Sequence, residues 1–198
     1  RHYKDRIPEC RHCRRFHHRQ RIKIVFRGVN RHEWHPRTGR TLDEQTMRAD
    51  LELMKRHGVN AIRTSHYPPN VRFLDLCDEY GVWVLLECDL ETHGFERGGW
   101  DGNPTNDDRW YDCLLNRIQR TVERDKNHPA IIGWSMGNES HCGEGIRLMN
   151  DWVKNRDPSR FTHYEGDDAH AICDVWTVMY PSMEWVEAVR SEERRVGK

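Results

Sequence analysis

From Ile22 onward the sequence alternates short apolar runs with segments of helical period, and this alternation most limits its fold. Residues 41–57 carry apolar side chains on one helical face, and Gly58 follows directly, as expected at a helix end. Residues 59–63 then form a short strand pattern. A strand after each helix indicates an α/β domain with a parallel sheet.

Six apolar runs have the length and composition of strands, and helical patterns lie mainly between the first five. The runs are residues 24–30, 59–63, 82–86, 131–135, 161–165 and 175–180. No glycine-rich phosphate loop follows the first run, which disfavours a doubly wound dinucleotide-binding sheet. We therefore predict a (β/α)8 TIM barrel that is incomplete, with about its first six strands present.

Two terminal segments differ from this pattern. Residues 1–21 are basic and rich in histidine, and their Cys10-x-x-Cys13 pair precedes His17 and His18 too closely for a usual zinc finger. We expect them to be a disordered or non-native leader. Residues 22–190 form the predicted partial barrel domain, and the polar residues 191–198 are expected to be an unstructured tail.

The composition excludes some kinds of partner. Lys plus Arg and Asp plus Glu number 32 each, so no net charge favours nucleic acid or an anionic membrane. No apolar run approaches the roughly 18 residues of a membrane span, and no signal peptide is apparent. The seven cysteines have no regular spacing, so we expect mostly reduced thiols in a cytoplasmic protein.

Polar residues follow the apolar run at 131–135. The chain becomes polar at Gly137-Asn138-Glu139, as it does where a buried strand opens into a site. A carboxylic acid at such a position can donate a proton, and the neighbouring amide can hydrogen-bond a neutral hydroxyl. This pair suits sugar chemistry. The eight tryptophans agree with that, although core packing explains each of them equally well.

Chemically useful side chains collect at four successive strand ends. They are His32, His66, Glu91 with His93, and Asn138 with Glu139. In a barrel the C-terminal ends of all strands lie on the catalytic face, so these residues are expected to form one site.

Several motifs, taken in order, resemble the large bacterial β-galactosidases of glycoside hydrolase family 2. They are RGVNRHE at 27–33, DEQTM at 43–47, TSHYP at 64–68, ETHG at 91–94, RDKNHP at 124–129 and WSMGNES at 134–140. The resemblance covers roughly residues 26–180. It implies part of that family's catalytic barrel and a β-galactoside substrate.

The resemblance also implies a role for each matching residue. Glu139 matches the general acid/base, and Asn138 matches the neighbour that binds the sugar 2-hydroxyl. His32 and His66 match histidines that contact galactosyl hydroxyls, and Tyr180 matches a tyrosine near the nucleophile.

A metal site is implied in the same way. Glu91, His93 and Glu139 match ligands of an active-site Mg2+, and the imidazole ligand would also accept Mn2+. The resemblance further implies Na+ in the full enzyme, with ligands that this sequence does not identify, and a homo-oligomeric full-length protein.

The second carboxylate is the point at which the match stops. A retaining glycosidase needs two carboxylates, and the family's nucleophile lies on a later strand. Glu165, Glu184 and Glu187 are downstream, but none lies in the nucleophile motif. We therefore expect a fragment that carries the acid/base, lacks the nucleophile and is inactive alone. The alternatives are a β-glucuronidase or β-mannosidase of the same family, or a catalytically silent carbohydrate-binding or complementation module.

Overall fold

The computed structural model describes residues 24–196, so the expected leader at 1–21 lies outside the described part. Five parallel strands form one open sheet in chain order. The strands are β1 (Gly28–Arg31), β2 (Ala61–Thr64), β3 (Trp83–Glu87), β4 (Ile131–Ser135) and β5 (Phe161–His163). The helices are α1 (Glu44–Arg56), α2 (Val71–Tyr80), α3 (Tyr111–Asp125), α4 (Glu144–Arg156) and α5 (Met183–Val196).

Helix α1 shows how local sequence sets the boundaries of these elements. Asp43 is the N-cap, and its carboxylate accepts the N–H of Thr46 at 2.8 Å. Met47 and Leu51 are buried in the hydrophobic core, and the chain turns at Gly58 with φ +70°. The predicted helix at 41–57 is therefore present and slightly shorter.

The core lies between the sheet and its helices. All five residues of β4 are buried, which explains why its sequence is continuously apolar up to Ser135. Leu114, Ile118 and Val122 of α3 pack in the same core. The α/β barrel architecture predicted from the sequence is confirmed as an open, partial sheet.

The pairing of β3 with β4 contains a register shift. Val84 lies opposite Ile131, whereas Leu85 lies opposite Gly133, so the pairing skips Ile132. Beyond the shift, Glu87 lies directly opposite Ser135. This register places two polar side chains together where the strands end.

The prediction of a sixth strand at 175–180 is wrong. Val175 forms only an isolated bridge with His163. The carboxylate of Asp174 accepts the N–H of Thr162 at 3.1 Å, so a side chain, not a strand backbone, satisfies this group of β5. The side chain thus caps the edge of β5.

The prediction of an unstructured tail at 191–198 also needs correction, because α5 continues to Val196. Its sequence is rich in Glu and Arg, which both favour the helix, so polarity alone was a poor guide. Residues 197 and 198 lie outside the described part. Within residues 24–196, no helix has the length and apolar character needed to cross a membrane.

Candidate active site

The sheet brings the predicted site residues to one edge. Glu91 and Asn138 form a bridge just beyond the ends of β3 and β4, and the N–H of Asn138 donates to the carbonyl of Leu90 at 2.8 Å. Because all strands are parallel, His32 and His66 follow their strands at the same edge.

Asn138 is the centre of this arrangement and is 3% exposed. Its Oδ1 accepts Nη2 of Arg63 at 2.8 Å. Its Nδ2 donates to Oε1 of Glu91 at 3.2 Å and to Oε2 of Glu139 at 3.3 Å. The amide therefore joins two carboxylates that the sequence places 48 residues apart.

Gly137 and Glu139 give this turn its shape. Gly137 has φ +153°, and a Cβ there would lie 2.7 Å from the carbonyl oxygen of Leu90. Glu139 has φ +38°, a left-handed conformation that is uncommon for glutamate. Only glycine fits the first position, and the second must be held by its surroundings.

The segment after β5 holds Glu139 in place. Glu165 accepts the N–H of Glu139 on Oε1, and Tyr164 Oη accepts the N–H of Ser140 at 2.9 Å. Burial raises the pKa of the Glu165 carboxyl above its ordinary value, and the Glu139 carboxylate raises it further. The contacts of Glu165 with Glu139 were not predicted from the sequence.

Glu87 is a second residue that the sequence analysis did not assign to the site. It is fully buried, and its carboxylate accepts Nε of Arg63 at 2.6 Å and Oγ of Ser135 at 2.6 Å. His66 Nδ1 also lies 2.6 Å from it. Burial alone would raise the pKa of Glu87, but the bonds from His66, Arg63 and Ser135 outweigh burial and lower it.

His163 completes this group, which we call the Glu87 network (Arg63, His66, Glu87, Ser135 and His163). Its Nδ1 lies 2.9 Å from Oγ of Ser135. Since the Ser135 hydroxyl donates its proton to Glu87, the proton of the neutral imidazole must reside on Nδ1 of His163. Burial lowers the pKa of His163 to about 4.

The two predicted sugar-contacting histidines lie together. The rings of His32 and His66 are 5.1 Å apart in an edge-to-face arrangement. Burial lowers the pKa of His32, and the neighbouring His66 lowers it further. Neutral imidazole can both donate to and accept from a hydroxyl group.

Tyr180 is not brought to this group. It is 93% exposed with φ +50°, in the segment that does not form the expected strand. It is not among the residues that line the cavity beside Glu139, described next.

A cavity of about 650 Å³ opens beside Glu139, and we call it the Glu139 cavity. Glu165, His93, Trp100 and His141 also line it. The rings of Trp100 and His141 stack with a centroid distance of 5.4 Å and an interplanar angle of 24°. Sequence reasoning missed this pair, because neither residue lies in a strand-end motif.

The predicted metal ligands are neighbours but do not converge on one point. His93 Nδ1 lies 3.3 Å from Oε2 of Glu139, and His93 Nε2 lies 2.8 Å from Glu96. His93 begins a short 3-10 segment, so it does not continue the extended backbone expected after Glu91. Within residues 24–196, no three His, Cys, Asp or Glu side chains are arranged to hold a metal ion.

Comparison with known proteins identifies close sequence relatives. The model of the family "Glycosyl hydrolases family 2, TIM barrel domain" matches residues 19–197. The β-galactosidase of Arthrobacter sp. (strain B7) is 60% identical over 145 residues, covering 73% of this chain and 14% of the relative. That of Vibrio cholerae serotype O1 (strain ATCC 39541 / Classical Ogawa 395 / O395) is 48% identical over 163 residues, covering 81% and 16%. The chain thus spans 14 to 16% of the length of these curated relatives.

Solved structures share the fold. A β-galacturonidase of the same family from Eisenbergiella tayi, bound to galacturonate, matches with a TM-score of 0.68 and 26% identity, covering 85% of this chain and 32% of that chain. The apo structure of Bacteroides uniformis β-glucuronidase 3 matches with a TM-score of 0.64 and 26% identity, covering 79% and 20%. Both likenesses agree with the open, partial barrel described above.

Proposed function

Because the chain belongs to glycosyl hydrolase family 2, as part of its TIM-barrel domain, we propose that it forms the acid/base side of a retaining β-galactosidase active site. The substrate would be a terminal β-D-galactose residue, as in lactose. One observation carries this proposal: the Asn138 amide contacts both Glu91 and Glu139 at the strand ends.

The proton steps belong to Glu139. Its side chain is 25% exposed and lines the cavity, so it can reach a substrate. In the first step it would protonate the oxygen of the leaving group, and in the second it would accept a proton from water. Glu165, through the backbone N–H of Glu139, keeps the carboxylate at the cavity wall.

Sugar binding would fall to the neutral groups beside it. Arg63 donates to Oδ1 of Asn138, and this bond orients Nδ2 of the amide toward the two carboxylates. The sugar 2-hydroxyl would bind beside Nδ2. His32 and His66 lie side by side at the same sheet edge and would contact other galactosyl hydroxyls.

Sequence identity favours a galactoside over a uronic acid as the substrate. The two β-galactosidase relatives are 60% and 48% identical to this chain, whereas the two uronidases of known structure are 26% identical. This difference favours the galactosidase over the related uronidases, despite the fold they share.

A magnesium ion is part of the proposal. The carboxylate and imidazole donors of Glu91, His93 and Glu139 suit Mg2+ or Mn2+ in type, but their arrangement here is not that of a metal chelate. A bound ion would supply positive charge beside the acid/base. None of the steps assigned above depends on it.

We assign no nucleophile. A retaining enzyme needs a second carboxylate about 5–5.5 Å from the first. Glu165 is the nearest candidate, but its Oε1 is committed to the Glu139 backbone. The nucleophile would therefore come from a part of the enzyme outside this chain, and we expect residues 1–198 alone not to hydrolyse an aryl β-galactoside.

The test is Glu139→Gln in a full-length enzyme that contains this segment. General acid catalysis is worth roughly 10²–10⁴ in rate, and it matters most for a basic leaving group. The variant should therefore lose far more activity on lactose than on a nitrophenyl β-galactoside. Glu52→Gln, at an exposed position on α1, is the matched control and should keep its activity on both substrates. Equal losses on both substrates would contradict the acid/base role.

A further inference from the structure

We propose that Trp100, stacked on His141, forms the platform that binds the aglycone, the part of the substrate that leaves on Glu139. The inference rests on the proposed function and adds a specificity-determining surface to it. The ligand class is a neutral hexose or an aryl group.

The position of the Glu139 cavity is the first argument. A general acid lies between the sugar ring and the leaving group, because it protonates the oxygen that joins them. Glu139 lines the cavity, but the residues proposed to contact galactose do not. These residues are His32, His66 and Asn138. The cavity therefore lies on the leaving-group side of Glu139.

The chemistry of the cavity wall also suits an aglycone. An indole face packs against the axial C–H bonds of a pyranose or against an aryl ring. Trp100 is only partly buried and lies outside the hydrophobic core, so core packing does not account for it. Its ring is fixed by the nearly parallel His141 ring at 5.4 Å. Glu96 and Arg147 also line the cavity and can hydrogen-bond sugar hydroxyls.

The backbone at Trp100 and His141 is unusual in the same way. Trp100 has φ +68° and His141 has φ +57°, a left-handed conformation that costs free energy for side chains of this size. Trp100 is held there by its N–H bond to Phe95 at 2.9 Å and by a bond from the N–H of Asn103 at 3.2 Å. Two strained aromatic residues in contact beside the acid/base indicate that this surface has a role in function.

The cavity also limits what can bind. Its volume of about 650 Å³ is ample for one hexose ring. The carboxylates around it disfavour an anionic aglycone, and the aromatic wall favours a ligand with an apolar face. Glucose is therefore a suitable probe.

The experiment uses the full-length enzyme and measures transfer of galactose to added glucose. With a nitrophenyl β-galactoside as donor, every variant forms the same galactosyl-enzyme, and glucose then competes with water for it. The glucose concentration at half-maximal transfer reports binding at the aglycone site. Trp100→Ala should raise it roughly three- to tenfold, the range expected for one aromatic contact.

Two further variants complete the design. Trp100→Phe keeps an aromatic face and should recover most of the glucose affinity, and it serves if the alanine variant folds poorly. Trp110→Ala removes an exposed tryptophan outside the cavity and should match the parent. Glucose affinity that is unchanged in both Trp100 variants would overturn the platform and leave the proposed function intact. A parent enzyme that cleaves no β-galactoside would overturn both.

Discussion

His163 should make the site edge of the sheet sensitive to mild acid. Its pKa is lowered from 6.5 to about 4 in the folded state, so the unfolded state binds more protons between these values. The contribution of His163 to the free energy of unfolding is therefore present above pH 6.5 and is lost as pH falls toward 4. Between pH 7 and pH 5 the linkage gives a loss of about 2 kcal/mol, because one pKa unit is worth about 1.4 kcal/mol.

This window separates His163 from the carboxylates around it. The lowered pKa of Glu87 removes stability only as pH falls through that pKa, below the ordinary range of glutamate near 4.5. The raised pKa of Glu165 has the opposite effect and adds stability as pH falls, but it is present both in the parent and in a variant that lacks His163. The difference between parent and variant therefore isolates His163.

Hydrogen exchange in the full-length enzyme measures the effect. Peptides covering β4 and β5 should lose about 2 kcal/mol of opening free energy between pH 7 and pH 5, after correction for intrinsic exchange rates. In His163→Gln, whose amide can still donate to Ser135, the loss should largely disappear. If the parent and His163→Gln lose the same protection over this range, the assignment of a buried neutral imidazole is refuted.

Three further predictions concern the turn that carries Glu139. Glu165→Leu should lower kcat about 10- to 100-fold, because loss of the acceptor for the Glu139 N–H costs about 1–3 kcal/mol. Glu165→Gln keeps an acceptor and should retain most of the parent's activity in steady-state assays. If the Leu and Gln variants were equally active, Glu165 would have no positioning role. Gly137→Ala should lower both kcat/KM and Tm, since its Cβ would meet the Leu90 carbonyl at 2.7 Å, and a fully active variant would show that the turn adapts freely. Glu91→Gln should weaken Mg2+ binding in calorimetry, and undiminished binding would remove Glu91 from the metal site.

The strands and helices were largely predictable because each depends on local pattern. The continuous apolar run of β4 and the amphipathic period of α1 are visible in the sequence without any knowledge of distant contacts. The segment at 175–180 had the composition of a strand but does not form one. There the Asp174 side chain accepts a backbone N–H of β5, and sequence period does not report such a contact.

The site was predictable only in part. Residues that follow strands were expected to meet at one edge, and the contacts of Asn138 with Glu91 and Glu139 are consistent with that. The Glu87 network was missed because its members come from separate strands, and only the register brings Ser135 to Glu87. Trp100 and His141 were missed for a similar reason, since their stacking depends on two loops folding together.

The skipped residue in the β3–β4 pairing has a consequence for anyone who would redesign this sheet. Pairing the strands without the skip, so that Leu85 lies opposite Ile132, would give an uninterrupted ladder, which design rules for regular sheets would favour. That regular pairing would set Trp134 opposite Glu87 and carry the Ser135 hydroxyl away from the carboxylate. An idealised backbone would therefore leave a buried charge short of a hydrogen bond. Here the irregular ladder is the one that a functional sequence requires.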